Sequence, residues 1–222
     1  MAVKANIAPG SFLRVAGVAG IGFAAAIVLA NALLVPLGLP VTGADAADVI
    51  AFFTTRQTAL GFASSVMPAA WLAAVVFGVG AWTAVRRRGR DQDQGWALVG
   101  LAGVVLQNGA FAVVASIRLA LPRADSDVVP ALWGVHDAVF TLNGVFLATA
   151  LIGLSAGGAG AGLISRWHAW LGFASAALLF ASATLTPLVV AEAGPLGLLG
   201  LAGWLMWVVW LVAYGIELVR AR

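Results

Sequence analysis

Apolar residues in this chain come in long runs, without the two-residue alternation of a half-buried strand. Six of them, near 12–37, 57–84, 96–120, 130–153, 167–190 and 196–219, each supply the ~20 residues that a helix needs to cross a bilayer core of ~30 Å. Polar punctuation separates the runs. Pro36 and Pro40 close the first, and Arg86 to Gln94 divides the second from the third. Pro122 to Pro130, with Arg123, Asp125 and Asp127 between them, divides the third from the fourth. Gly157 to Gly162 reads as a flexible link, and Ala193-Gly194-Pro195 as the last turn. The pattern predicts an all-α fold: a polytopic membrane bundle of six transmembrane helices, forming one domain over residues 1–222.

One shorter segment has a different pattern. In residues 44–56, Val49, Phe52 and Phe53 recur at helical spacing while Asp45 and Asp48 lie largely away from them. This predicts a short interfacial helix on the outer face, leading into the second span. The first apolar run, Val15 to Leu39, follows Lys4 and Arg14 as a signal peptide would. It is longer than the ~7–15 apolar residues of a cleaved signal, so it reads as a spanning helix.

Composition sharpens the membrane reading. The chain is 62% hydrophobic and 9% charged with a mean hydropathy of +1.02, whereas soluble domains carry about 25% charged residues. So few charges could not clothe a water-facing surface of this size. The 12 Lys and Arg residues also set an orientation. All but Arg56, Arg118 and Arg123 fall on the side holding both termini, which the positive-inside rule assigns to the cytoplasm of a multi-pass protein. The dense run Arg86, Arg87, Arg88 and Arg90 is then a topology signal, and no nucleic-acid partner is expected. With no cysteine and only His136 and His168 as imidazoles, neither a metal nor a cofactor is expected. His168 is expected to anchor at the inner interface beside Arg166. Trp82, Trp96, Trp167, Trp170, Trp210 and Tyr214 should join the inner aromatic belt, Trp133 the outer one, and Trp204 should pack against neighbours.

Ionisable and amide groups inside a bilayer cost several kcal/mol unless paired or wetted, so these residues carry the functional expectations. On the third span Gln107, Phe111 and Arg118 share a helix face, with Asn108 beside Gln107. On the fourth, Trp133, His136, Phe140 and Asn143 share a face flanked by Asp137 and Thr141. The second span opens with Arg56 and Gln57, and Glu192 follows the fifth. The charged members fall toward the outer side and the amides about two turns deeper. Converging, they would form an outward-facing polar pocket for a small apolar or amphiphilic ligand. In its catalytic form Asp137 or His136 is the acid–base group, set by Arg118 or Arg56, while Gln107, Asn108 and Asn143 orient the ligand. Residue by residue, the bland alternatives are a snorkelling arginine and interhelical amide contacts. Two other functions stand beside the pocket. One is a structural or accessory subunit docking on membrane partners or on copies of itself, and the other is a proton-coupled secondary transporter. For the transporter, the repeated Leu-Gly-Phe-Ala-Ser at 60–64 and 171–175 is the one hint of an inverted repeat.

Through Ala-Asp-Val-Ile-Ala-Phe-Phe (47–53), Ser-Arg-Trp-His-Ala-Trp-Leu-Gly (165–172) and Gly-Trp-Leu-Met-Trp-Val-Val-Trp-Leu (203–211), the chain resembles a family of small six-helix membrane proteins of high-GC actinobacteria, grouped as a domain of unknown function. The resemblance runs over nearly the whole length. It implies the six-helix topology and a plasma-membrane location, and no activity.

Overall fold

The computed structural model describes residues 9–191 and 194–221, so Lys4, Glu192 and Arg222 lie outside the described residues. The described chain is helical throughout, with no strand. Its helices are α1 (Pro9–Leu34), α2 (Ala46–Thr55), α3 (Gln57–Arg88), α4 (Asp91–Ala120), α5 (Val129–Gly160), α6 (Arg166–Thr184), α7 (Thr186–Val189) and α8 (Gly197–Arg220), with 3₁₀ turns at Val35–Leu37 and Leu121–Arg123. Five stretches are long and apolar enough to cross a membrane: Phe12–Leu37, Gln57–Arg88, Asp91–Arg123, Val129–Gly160 and Gly197–Arg220. By length and composition this is a multi-pass membrane protein. The α6 helix is not among the five. It has 19 residues, and its first turn is occupied by Arg166, Trp167 and His168.

The six long helices form a closed ring in sequence order, α1–α3–α4–α5–α6–α8, with α8 returning to α1. Neighbours run in opposite directions. Gly17 near the start of α1 meets Gly215 near the end of α8, Gly20 meets Phe77, Gly100 meets Leu154, and Gly203 meets Leu179. Short connections between successive helices enforce this alternation, so α1 begins at the end of the bundle where α8 finishes. Small residues set how tightly the ring closes. A Cβ added to Gly157 would lie 2.7 Å from the Asp93 carbonyl oxygen, and one on Gly100 would lie 2.6 Å from Leu154 N. Any larger residue there would push α4 and α5 apart.

This packing corrects the reading of residues 157–162 as a flexible link. Helix α5 continues through Gly153, Gly157 and Gly158 to Gly160, because these glycines serve close contact with α4 and with Tyr214 of α8. Only Gly162, at φ +64°, turns the chain. The fifth helix is shorter than the pattern predicts. It stops at Thr184, and Pro187 starts the separate turn α7 in place of a continuation to 190.

Apolar clusters fill the two ends of the ring. At the end where the chain begins and finishes, Phe77, Trp207, Trp210, Leu211, Tyr214 and Leu218 meet Leu151 and Leu154 of α5. Trp210 and Tyr214 are therefore core residues, 1% and 0% exposed, and not members of an aromatic belt. Trp96, Trp167 and Trp170 are largely exposed on that same end. At the opposite end α2 acts as a plug. It buries Val49, Phe52 and Phe53, the three residues its spacing singles out, against Leu60, Ile117, Val129 and Trp133. The two Leu-Gly-Phe-Ala-Ser segments turn different residues inward: Gly61 is exposed, while Gly172 is buried under Ser155 and Trp210.

Candidate functional site

Beneath the α2 plug, α4 and α5 bring Arg118, His136 and Asp137 into one hydrogen-bonded chain. The antiparallel register that sets Gly103 against Ala150 carries upward through the edge contact of Phe111 and Phe140, 6.1 Å between centroids, to Arg118 and His136. Arg118 Nε–H donates to His136 Nε2 at 2.9 Å. A guanidinium only donates, so Nε2 must be the acceptor and the ring is neutral with its proton on Nδ1. That proton is donated to Asp137 Oδ1 at 2.9 Å. The second carboxylate oxygen, Oδ2, accepts the backbone N–H of Gly43 at 2.8 Å. Gly43 sits in the turn before α2 at φ +79°, a left-handed geometry that suits glycine.

The imidazole is held from its faces as well. Trp133 stacks on it at 4.1 Å and 10°, and Phe140 lies nearly parallel at 5.9 Å. Phe53 of α2 closes on Trp133 at 5.9 Å. His136 and Asp137 are each 2% exposed. Trp133, expected in an outer aromatic belt, is instead buried at 4%, because its ring covers the imidazole. With both ring nitrogens and both carboxylate oxygens engaged, the pair is a strut that orients Arg118. Both ring nitrogens are spent on these contacts, and each carboxylate oxygen already accepts one hydrogen bond.

Arg118 is the member with unused capacity. It is partly exposed, and its Nη nitrogens make no hydrogen bond among the described residues. It lines a pocket of about 220 Å³ between α3 and α4, together with Gln57, Ser64 and Arg123. Arg56 is not part of this group. Its side chain is exposed and lines a second, larger groove of about 470 Å³ between α2 and the 37–44 segment, near Asp48.

The deeper amides are placed separately. Gln107 and Asn143 are buried, each 4% exposed, and their side chains make no hydrogen bond among the described residues. Asn108 turns away from them and donates to the Trp71 carbonyl at 2.9 Å. Asn108 Oδ1, Asn143 Oδ1 and Trp133 Nε1 are buried without a partner among the described residues. None of the three amides lines either of the two pockets. No cluster of metal-ligating side chains occurs among the described residues.

His168 is buried at the opposite end of the bundle, correcting its expected place at an interface beside Arg166. Its Nε2–H donates to the Trp210 carbonyl at 2.9 Å, and Trp210 Nε1–H donates to Ser155 Oγ at 3.0 Å.

Gly43 could not be found from the sequence, since a backbone N–H carries no residue-type signal. Ser64 also went unnoticed, one hydroxyl among many. Gln57 and Arg123 were visible as polar residues at span ends, without a sign that they face Arg118. No protein-family model, no curated protein and no solved structure matches this chain.

Proposed function

We propose that this chain is a six-span protein of a bacterial plasma membrane, with both termini cytoplasmic and α2 at the outer surface, and that it binds a small acidic amphiphile at Arg118. Four observations support the topology. The long helices alternate in direction, and the arginine-rich segments gather at the end where the chain starts and finishes. The exposed tryptophans Trp96, Trp167 and Trp170 gather there too. Finally α6, about 28 Å long by helical rise, is nearly as long as a hydrocarbon core is thick.

One observation carries the binding reading: an arginine locked through Nε to a buried histidine–aspartate strut lines a pocket, with no Nη hydrogen bond spent among the described residues. Holding a guanidinium in place before a ligand arrives lowers the ordering cost of binding. Such a strut favours binding over acid–base chemistry, since His136 and Asp137 are spent on positioning. In this reading the ligand enters laterally from the outer leaflet between α3 and α4, head toward Arg118 and tail toward lipid.

The test is native mass spectrometry of the full chain extracted from membranes, compared with Arg118→Gln. The wild type should retain an acidic amphiphile that the variant loses. Equal retention by both proteins, or none by the wild type, overturns the reading.

A further inference from the structure

Resting on that binding site, we infer that the amphiphile's head is a phosphate, gripped between Arg118 and Arg123. Among the described residues the pocket is lined by two arginines and no carboxylate. Arg118 is positioned by His136, and Arg123 is held by its own Nη1–H donating to the Leu119 carbonyl at 3.1 Å. Gln57 and Ser64 of α3 face them across the pocket and make no hydrogen bond to the described residues, so their amide and hydroxyl are free to donate. The donors thus come from three places in the fold: the first turns of α3, the end of α4, and the 3₁₀ turn after it.

That spread decides between anions. A carboxylate has two oxygens in one plane and one charge, and a single arginine satisfies it. A tetrahedral phosphate has three outward oxygens and up to two charges, and it can use donors from both walls at once. Size points the same way. Pockets that enclose a whole drug-sized ligand run about 300–1,000 Å³, so about 220 Å³ suits a head and not a chain. Gly61 sits in the pocket wall, and a Cβ there would meet nothing within 4 Å. The missing side chain leaves room beside the arginines.

The experiment titrates the full chain in maltoside micelles with dodecyl phosphate, dodecanoate and inorganic phosphate, read by calorimetry. Dodecyl phosphate should bind most tightly. Arg118→Gln and Arg123→Gln should each weaken it by about 10- to 100-fold, the loss expected for a charge-assisted contact. Gly61→Phe, which fills the pocket without a helix neighbour to displace, should abolish it. If dodecanoate binds as tightly and Arg123→Gln changes neither ligand, the phosphate inference is overturned while acidic-amphiphile binding stands. Inorganic phosphate binding as tightly as the alkyl ester would overturn the lipid source. Should Arg118→Gln alter none of the three, both readings fall.

Discussion

Two buried histidines sit at opposite ends of one bundle, and they are compensated differently. Among the described residues His168 hydrogen-bonds only to a neutral group, donating to the Trp210 carbonyl beside a Trp210–Ser155 hydrogen bond and the ring of Tyr214. Every hydrogen-bond partner in that cluster is a dipole, and the one carboxylate that acts on the ring, Glu217, does so only through space. His136 stands between formal charges: an arginine on one nitrogen, a carboxylate on the other, and Gly43 beyond. That chain does not close, because Arg118 also lines a pocket and its Nη nitrogens make no hydrogen bond among the described residues. Neutral groups in a low-dielectric interior can be satisfied locally by carbonyls and hydroxyls. Opposite charges must be assembled from several helices, and the charge left at the rim is available to a ligand.

The comparison breaks most sharply at Asp137. Asp137→Ala removes the acceptor of both His136 and Gly43 and strands the arginine's charge, so a loss of about 3–5 kcal/mol is expected, read as thermal unfolding in detergent. The loosened α2 segment should also exchange its amide hydrogens faster. An unchanged melting profile would reduce the strut to a coincidence of geometry. Next comes steric separation of α4 from α5 by Gly153→Val, expected to cost about 1–3 kcal/mol by overpacking and, by disturbing the register that seats Arg118 on His136, to weaken ligand binding as well. At the sealed end Trp210→Phe keeps the ring and deletes the bond to Ser155. About 1 kcal/mol should be lost there, with binding at Arg118 untouched; a binding defect would mean that the two ends communicate. The smallest effect on stability belongs to Gly61→Phe, within about 0.5 kcal/mol as for an open surface site, though this variant should lose the ligand entirely. Gly61→Phe is thus expected to remove binding without stability at the open end, and Trp210→Phe to remove stability without binding at the sealed one.

Legibility followed the physics of each signal. Val49, Phe52 and Phe53 were readable as the buried face of a short helix because a helical period is a local property. The extent of α5 was not, because glycines from 153 to 160 look like a flexible link until α4 is seen lying against them. Trp133, Trp210 and Tyr214 read as belt residues since amphipathic rings favour interfaces in general. Whether a given ring lies at a boundary or inside depends on the helix beside it. The face shared by His136 and Phe140 was visible from spacing, yet Gly43 was not, and Arg56 looked as promising as Arg118 although it lies in a different groove.

Local free energies of transfer are written residue by residue, so the order of apolar runs, the all-helical class and the clustering of arginines at alternate ends follow from the chain alone. Which polar groups meet is a matter of register between helices that are distant in sequence. A rotation of one residue, about 100° on a helix, would have turned His136 away from Arg118. The glycine contacts between α4 and α5 select that register, and they exist only once the helices have packed.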